Sequence, residues 1–469
     1  PSNRSLSSLA GMNSLIAVGG SLYIWNCPKL ADLDGLSKLP AVGGSLYISN
    51  CPKLADLDGL SSLQRVGGSL EIAGCPTYSS GPCSSALSNI KGLAGLTEVA
   101  DRIVLSGLPS LTSLEGLESL KVVRGDILVI NNQNLTNLAE LNAVEGAIGG
   151  LGIWGNPALT GIGGLTQVSS VQTSVLIYQS PSLASLKGLE HVATIGGTLY
   201  IKNTALHDLT GLEGLTGVGD GVEIANNPSL ATIGLKGLTA LDGNLVIARN
   251  PLLQNLDGLS SLPSMAGELT IYANQTLSNL DGLSLLSTVR SLQISDLPVV
   301  DLRGLSGLTG EIAGELTISD NSALTDLSGL EGIHSIGGRI LITNNPALTD
   351  LTGPSLVGQI ASARIEGNDK LTSLGAWSNV TGVWGNLVVM ANPVLTSLEG
   401  LHGLTSIRGD LYIKENPVLS SLNGLRGLLT IGDITIKDNA MLDECMAQTF
   451  ATRLSSVCDC AGNAPSTCP

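Results

Sequence analysis

Few residues in this chain have the type and spacing that chemistry needs. The four histidines, His191, His207, His334 and His402, stand at unrelated places. A nucleophilic triad needs a Ser or Cys, a His and a carboxylate within hydrogen-bond reach of one another. Glycoside cleavage needs two carboxylates facing across a bond. The chain offers no such grouping. Its acidic pairs, Asp34 with Asp58 and Asp257 with Asp281, recur 24 residues apart. If repeats stack, such carboxylates lie ~4.8 Å apart and either attract a cation such as calcium or form a solvated edge. No catalytic, metal-binding or cofactor-binding residue is assigned, no cofactor is expected, and the chain reads as a protein that is not an enzyme.

Cysteine is the other reactive group. The eight cysteines are Cys27, Cys51, Cys75, Cys83, Cys445, Cys458, Cys460 and Cys468. An even count with a dense tail points to disulfides and an oxidising compartment; the rival reading, zinc, lacks a CxxC pair. A Cys75–Cys83 bridge would staple a Ser/Gly/Pro-rich insertion, residues 76–90. Cys27 and Cys51 would stack within bridging distance. The tail should form two bridges, with Cys458 and Cys460 too close to pair with each other. Four sequons, at Asn3, Asn134, Asn274 and Asn379, agree with secretion.

These residues hang on a repeat. Ser21-Leu-Tyr-Ile-Trp-Asn-Cys-Pro-Lys-Leu-Ala-Asp-Leu-Asp-Gly-Leu36 returns almost unchanged as Ser45–Leu60, and the frame L-x-I-x-x-N-P-x-L-x-x-L-x-G-L-x-x-L-x-x-V-x-G continues with a period of 23 or 24 residues. Leu22 and Ile24 alternate with Tyr23, which predicts a short strand with one buried face. Leu30, Leu33, Leu36, Leu39 and Val42 then recur every third position, a period belonging neither to an α-helix nor to a long strand. It fits short straight segments joined at corners, with Gly35, Gly43 and Gly44 supplying tight backbone approach. Each turn buries its face only against its neighbours. The expectation is an all-β parallel solenoid of about 18 turns over residues 1–442.

Eleven of the eighteen positions just after the strand, from Asn132 to Asn439, are Asn. The backbone loses its strand partners there, and an inward amide replaces them. Asn274 belongs to this row, so its sequon should stay empty; Asn134 points outward and is the expected glycan site, with Asn379 and Asn3 after it. Residues 443–469 break the frame. Met446, Phe450 and Leu454 fall at helical spacing, predicting a helical, disulfide-rich C-terminal cap.

Alternation places Tyr23, Trp25, Tyr47, Trp154, Tyr178, Tyr200, Tyr272 and Tyr412 on the outward face of the strands, with Leu128, Ile130, Leu176, Leu341 and Met390 beside them. Exposed aromatics suit a contact surface, although cross-strand packing alone also accounts for them. The net charge is 23 − 39 = −16, which argues against nucleic acid and anionic membrane. No apolar run is long enough to span a bilayer. Pro1–Ser5 is no signal peptide, so a secreted chain would have lost its own.

The L-x-I strand, the spaced leucines and the join Val42-Gly-Gly-Ser-Leu-Tyr-Ile48 resemble the receptor L-domain family, which includes the ligand-binding L domains of the insulin and epidermal growth factor receptors and glycolipid-anchored fungal cell-wall proteins. The resemblance implies a right-handed β-helix and a place on a cell surface. The array here is far longer than one L domain, and no kinase or membrane span follows. Two functions remain in view. One is an extracellular structural or adhesive protein of a surface, wall or fibre, self-assembling through an uncovered first turn (Leu6, Leu9, Met12, Leu15 and Val18). The other is an ectodomain that captures a protein or glycan on the aromatic face. A carbohydrate-active β-helix enzyme is the weakest reading.

Overall fold

The computed structural model describes residues 4–75 and 85–466. The chain is a nearly all-β parallel solenoid of about 18 turns, and among the described residues the one α-helix is Glu444–Arg453. It divides into two compact units, the first of residues 1–230 and 234–239, the second of residues 231–233 and 240–469.

In the first unit each turn contributes one strand to a parallel sheet. The strands are Leu22–Trp25, Leu46–Ser49, Leu70–Ala73, Ile103–Ser106, Ile127–Ile130, Leu151–Trp154, Val175–Ser180, Leu199–Thr204 and Val222–Ala225. Pairing keeps like positions together: Leu22 faces Leu46, Ile24 faces Ile48 and Tyr23 faces Tyr47. A slip of one residue would turn every Leu and Ile of a strand outward. Shorter strands such as Ala41–Val42 and Arg65–Val66 pair on a second side. The period-three leucines form the core, with Leu30, Leu33, Leu36 and Leu39 wholly buried. The DGL corners are single 3-10 turns, Asp34–Leu36 and Asp58–Leu60 among them.

The second unit repeats this plan with strands Leu245–Ala248, Glu268–Tyr272, Ser291–Ser295, Leu316–Ser319, Arg339–Thr343, Ser362–Glu366, Leu387–Met390, Leu411–Lys414 and Ile434–Lys437. Cys458–Asp459 pairs with Ile434–Thr435, so the cysteine-rich tail supplies a further rung of the same sheet. The helix Glu444–Arg453 is N-capped by Asp443, whose carboxylate accepts from the Met446 N–H at 3.1 Å. It buries Cys445, Ala447, Phe450 and Ala451. Met446 is exposed; the spacing reading put it on the inner side, which Cys445 takes instead.

Glycine at the corners answers to close approach. A Cβ on Gly282 would lie 1.9 Å from the Leu256 carbonyl oxygen in the turn before. Some corner glycines, Gly116 and Gly400 among them, also have positive φ, 116° and 106°, but most turns carry a further left-handed residue just before the inward amide, and there it is mostly not glycine. Asn26, Gln179, Arg249, Ala273 and Glu415 have φ between 51° and 55°, a conformation costing an L-residue about 1 kcal/mol or more. It swings the next side chain into the core.

That next side chain is the amide ladder. Asn156 accepts the Asn132 N–H on Oδ1 at 3.0 Å and donates from Nδ2 to the Val129 carbonyl at 2.8 Å. In the second unit the ladder runs without a break from Asn321 through Asn345, Asn368, Asn392, Asn416 and Asn439 to Asn463 in the tail. Where a hydroxyl replaces the amide, at Ser180 and Thr204, the strands run two residues longer and these two residues pair directly.

Two disulfide expectations are corrected. Cys27 and Cys51 are free and buried. The Cys51 thiol takes the place of a ladder amide, donating to the Ile24 and Ser49 carbonyls at 3.8 and 3.5 Å, while Cys27 donates to Trp25 O. Stacking brings the two residues close but leaves both thiols directed at backbone carbonyls. Cys458 and Cys460 do pair with each other, their Cα atoms 5.3 Å apart, inside the ordinary range for a bridge. Cys75 and Cys445 are disulfide-bonded; Cys83 and Cys468, expected in bridges, lie outside the described residues, as does Asn3.

Candidate functional site

Strand alternation aims two side chains per turn away from the core, and neighbouring turns align them into rows. In the first unit these rows hold two aromatic groups. Tyr23, 62% exposed, stacks on Tyr47 with ring centres 4.8 Å apart and planes 4° from parallel, beside Trp25. Glu71, Ala73, Val104 and Ser106 separate this group from the next.

The second group spans four consecutive turns. Leu128 and Ile130, then Trp154, then Leu176 and Tyr178, then Tyr200 occupy the outward positions of Ile127–Ile130, Leu151–Trp154, Val175–Ser180 and Leu199–Thr204. All six are half-buried against one another. Trp154 stacks on Tyr178 at 5.3 Å with planes 6° apart, and Tyr178 meets Tyr200 edge to face at 5.8 Å. Gly152 makes the arrangement possible, because a Cβ there would meet Trp154 Cζ3 at 2.5 Å and Leu128 Cδ2 at 2.7 Å. The indole lies over bare backbone. In the sequence this glycine reads as an irregularity of the row; its role is visible only once Leu128, Gly152 and Leu176 are in register. Burial, and then the neighbouring Tyr200, raise the Tyr178 phenol above its ordinary value. Lys202 stands 5.9 Å over the Tyr200 ring, so a cation bounds the strip at this side.

In the second unit the aromatics are separate. Tyr272 carries the Arg249 guanidinium over its ring at 5.1 Å. Tyr412 donates its hydroxyl to Asp410 at 3.0 Å and lies under the Lys414 ammonium. The eight outward aromatics therefore form two groups in one unit and two single residues in the other. Leu341 and Met390 share the outward face of the second unit but do not adjoin Tyr272.

The carboxylates of the acidic pairs are exposed, and what these residues contribute to the corner is a backbone N–H. The Asp34 and Asp58 N–H groups donate to Asp32 and Asp56, and those of Asp257 and Asp281 to Asn255 and Asn279. Each closes a side-chain turn that starts the 3-10 corner. Among the described residues no His, Cys, Asp or Glu group of three or more could hold a metal, and no histidine ring bonds a Ser, Cys or Asp. A second ladder, unread in the sequence, guards the start of the strand: Ser21 Oγ accepts the Ser45 N–H, and Ser45 Oγ that of Ser69, both at 3.0 Å. Asn244 and Asn386 serve the same role for Glu268 and Asp410. Its residue type varies, which hides it.

No protein-family model and no curated protein matches the sequence. Solved structures of similar architecture include a leucine-rich repeat protein from Bacteroides eggerthii, 15% identical, with 92% of this chain and 69% of that chain covered and a TM-score of 0.43. A leucine-rich repeat protein from Leptospira interrogans is 18% identical over 86% of this chain and 91% of its own, with a TM-score of 0.33. An internalin from Listeria monocytogenes is 15% identical over 73% and 88%, with a TM-score of 0.31.

Proposed function

We propose that the chain is an extracellular adhesive scaffold of the L-domain kind that docks a protein on the strip Leu128, Ile130, Trp154, Leu176, Tyr178 and Tyr200. The observation that carries this reading is a contiguous half-exposed apolar patch over four turns, a type of surface that marks interaction sites. Ring packing favours a protein over a glycan here. Trp154 and Tyr178 spend a face on each other, whereas sugars stack on open ring faces. The aliphatic neighbours suit apolar side chains of a partner. The disulfides at Cys75, Cys445 and Cys458–Cys460 support an oxidising compartment.

Selection of a random peptide library on the immobilised full chain tests the reading. Apolar, aromatic-rich binders that lose affinity at least tenfold on Trp154→Ala and on Tyr178→Asp are expected. Binders indifferent to both substitutions would overturn it. Self-association is the second reading, favoured by Met12 and Ile16, 38% and 67% exposed in the first turn, beside Leu6 and Leu15. Sedimentation of the full chain against Leu15→Asp separates the two.

A further inference from the structure

The outward face of the second unit holds a depression unlike the apolar strip. Three neighbouring strands, Glu268–Tyr272, Ser291–Ser295 and Leu316–Ser319, run in register so that Thr270, Gln293 and Thr317 form one row and Tyr272, Ser295 and Ser319 the next. Glu268 pairs with Ser291, and Glu315 begins the third column. The middle column, Ser291, Gln293 and Ser295, is short at both ends, and a cavity of about 110 Å³ opens there, lined by Glu268, Thr270, Ser291, Leu292, Gln293, Glu315 and Thr317. That is the room of roughly three or four waters, enough for the hydroxyl edge of one pyranose ring.

Six of these seven side chains, all but Leu292, are hydrogen-bonding groups, and little of that capacity is used. Gln293 makes one long bond, to Ser295 Oγ at 3.5 Å. Glu315 keeps one oxygen on Arg339 at 2.9 Å. The Ser291 hydroxyl accepts the Glu315 N–H at 3.3 Å. Carboxylates accept paired hydroxyls, a primary amide both donates and accepts, and hydroxyls do either. Tyr272 adjoins the depression. Arg249 braces its ring, and its partner in the next turn is Ser295, too small to cover a phenol. Unlike the Trp154–Tyr178 stack, this ring has no aromatic on it.

We infer that the depression between Glu268 and Glu315 is a saccharide-binding site, with Gln293 at its centre, the two carboxylates and the threonines on ring hydroxyls, and Tyr272, the next outward residue after Thr270, flanking it outside the lining. It is independent of the strip proposed above for a protein partner. One ring held by a few hydrogen bonds in an open depression binds in the millimolar range.

Saturation-transfer NMR of the full chain with methyl glucoside, methyl mannoside, methyl galactoside and N-acetylglucosamine, each at about 10 mM, tests the inference. Transfer to at least one sugar is expected. It should fall about tenfold in Gln293→Leu and weaken in Tyr272→Ala, with Tyr178→Asp, in the strip of the first unit, unchanged as the control. All these positions are at the surface, and a thermal melt verifies folding. No transfer to any sugar, or transfer indifferent to Gln293→Leu, overturns the inference. So does a melting shift with calcium, abolished by Glu268→Gln, in a protein that binds no sugar, because the carboxylates would then be cation ligands.

Discussion

Replacing Asn345 by Ala isolates what one rung of the amide ladder contributes. Asn345 is wholly buried. Its Oδ1 accepts the Asn321 N–H and the Asn321 Nδ2, both at 3.1 Å, and its Nδ2 donates to the carbonyls of Ile318 and Thr343 at 3.0 and 3.1 Å. Alanine removes these four bonds and a fifth, from Nδ2 to Asn368 Oδ1 at 3.3 Å; it leaves the Asn321 N–H unpaired where water does not reach and takes a second donor from the Ile318 carbonyl, which keeps its sheet partner. A buried polar group left unpaired costs about 1–3 kcal/mol, so the loss should be about 1–3 kcal/mol. Stacked repeats open in segments. Urea unfolding should therefore be read together with hydrogen exchange, which should speed up first at the Asn321 amide. Asn345→Ser should cost less, since Ser180 shows a hydroxyl tolerated at this place when the strand lengthens. A loss below about 1 kcal/mol, or an Asn321 amide exchanging at the wild-type rate, would refute the view that the side-chain amides replace the missing backbone partners.

Gly282→Ala should destabilise by about 3 kcal/mol, because its Cβ would meet backbone of Leu256 and Asp257 at 1.9 to 2.7 Å; Gly163→Ala, with nothing within 4 Å, should be neutral or slightly stabilising, and a pair of thermal melts decides. Burial pushes the Cys51 thiol up to about 12 from 9.0. The neutral thiol is the folded form, so its contribution is complete below pH 9.0 and lost as pH rises from there towards 12. Iodoacetamide at pH 8 should leave Cys27 and Cys51 unmodified until the chain unfolds, as read by mass spectrometry. Cys51→Asn should raise the unfolding midpoint by about 1 kcal/mol equivalent, since a full amide replaces a weak donor at the same carbonyls. Expression in a glycosylating host should modify Asn134, which is exposed, and leave Asn274, which is wholly buried; peptide mapping reads both.

The core and the ladder were legible because they write one residue type at one place. Leu22 and Ile24 alternate, Leu30 to Val42 step by three, and the amide position is Asn in most turns; inward neighbours tolerate little else. What stayed hidden depends on direction and on register across turns. Spacing tells that Cys27 lies over Cys51, but not that both thiols aim at carbonyls of the strand. Nothing in Ala273 or Glu415 announces φ near 55°; the fold enforces it on residues with no preference for it. The candidate sites were half legible. Alternation marks Trp154 and Tyr178 as outward, yet the need for Gly152 beneath the indole appears only with the register. The depression around Gln293 could not be read, because it depends on register across three turns, which sets Ser291 between Glu268 and Glu315.

The amide ladder has a polarity. Each Asn side chain bonds backbone groups of the turn before it, as Asn345 does for Asn321 and Asn368 for Asn345, and reaches only the side-chain amide of the turn after. A turn is thus completed only when its successor arrives. During synthesis the chain emerges at about 5–20 residues per second, roughly one turn every one to five seconds. At any moment a single trailing turn holds unsatisfied amide hydrogens, and the next turn made is the one that closes them. Growth in the order of translation is matched by the direction of the hydrogen bonds, so a nascent stack within a unit can extend rung by rung without waiting for a distant segment. The tail continues the same logic, since Asn463 is the rung that completes Asn439.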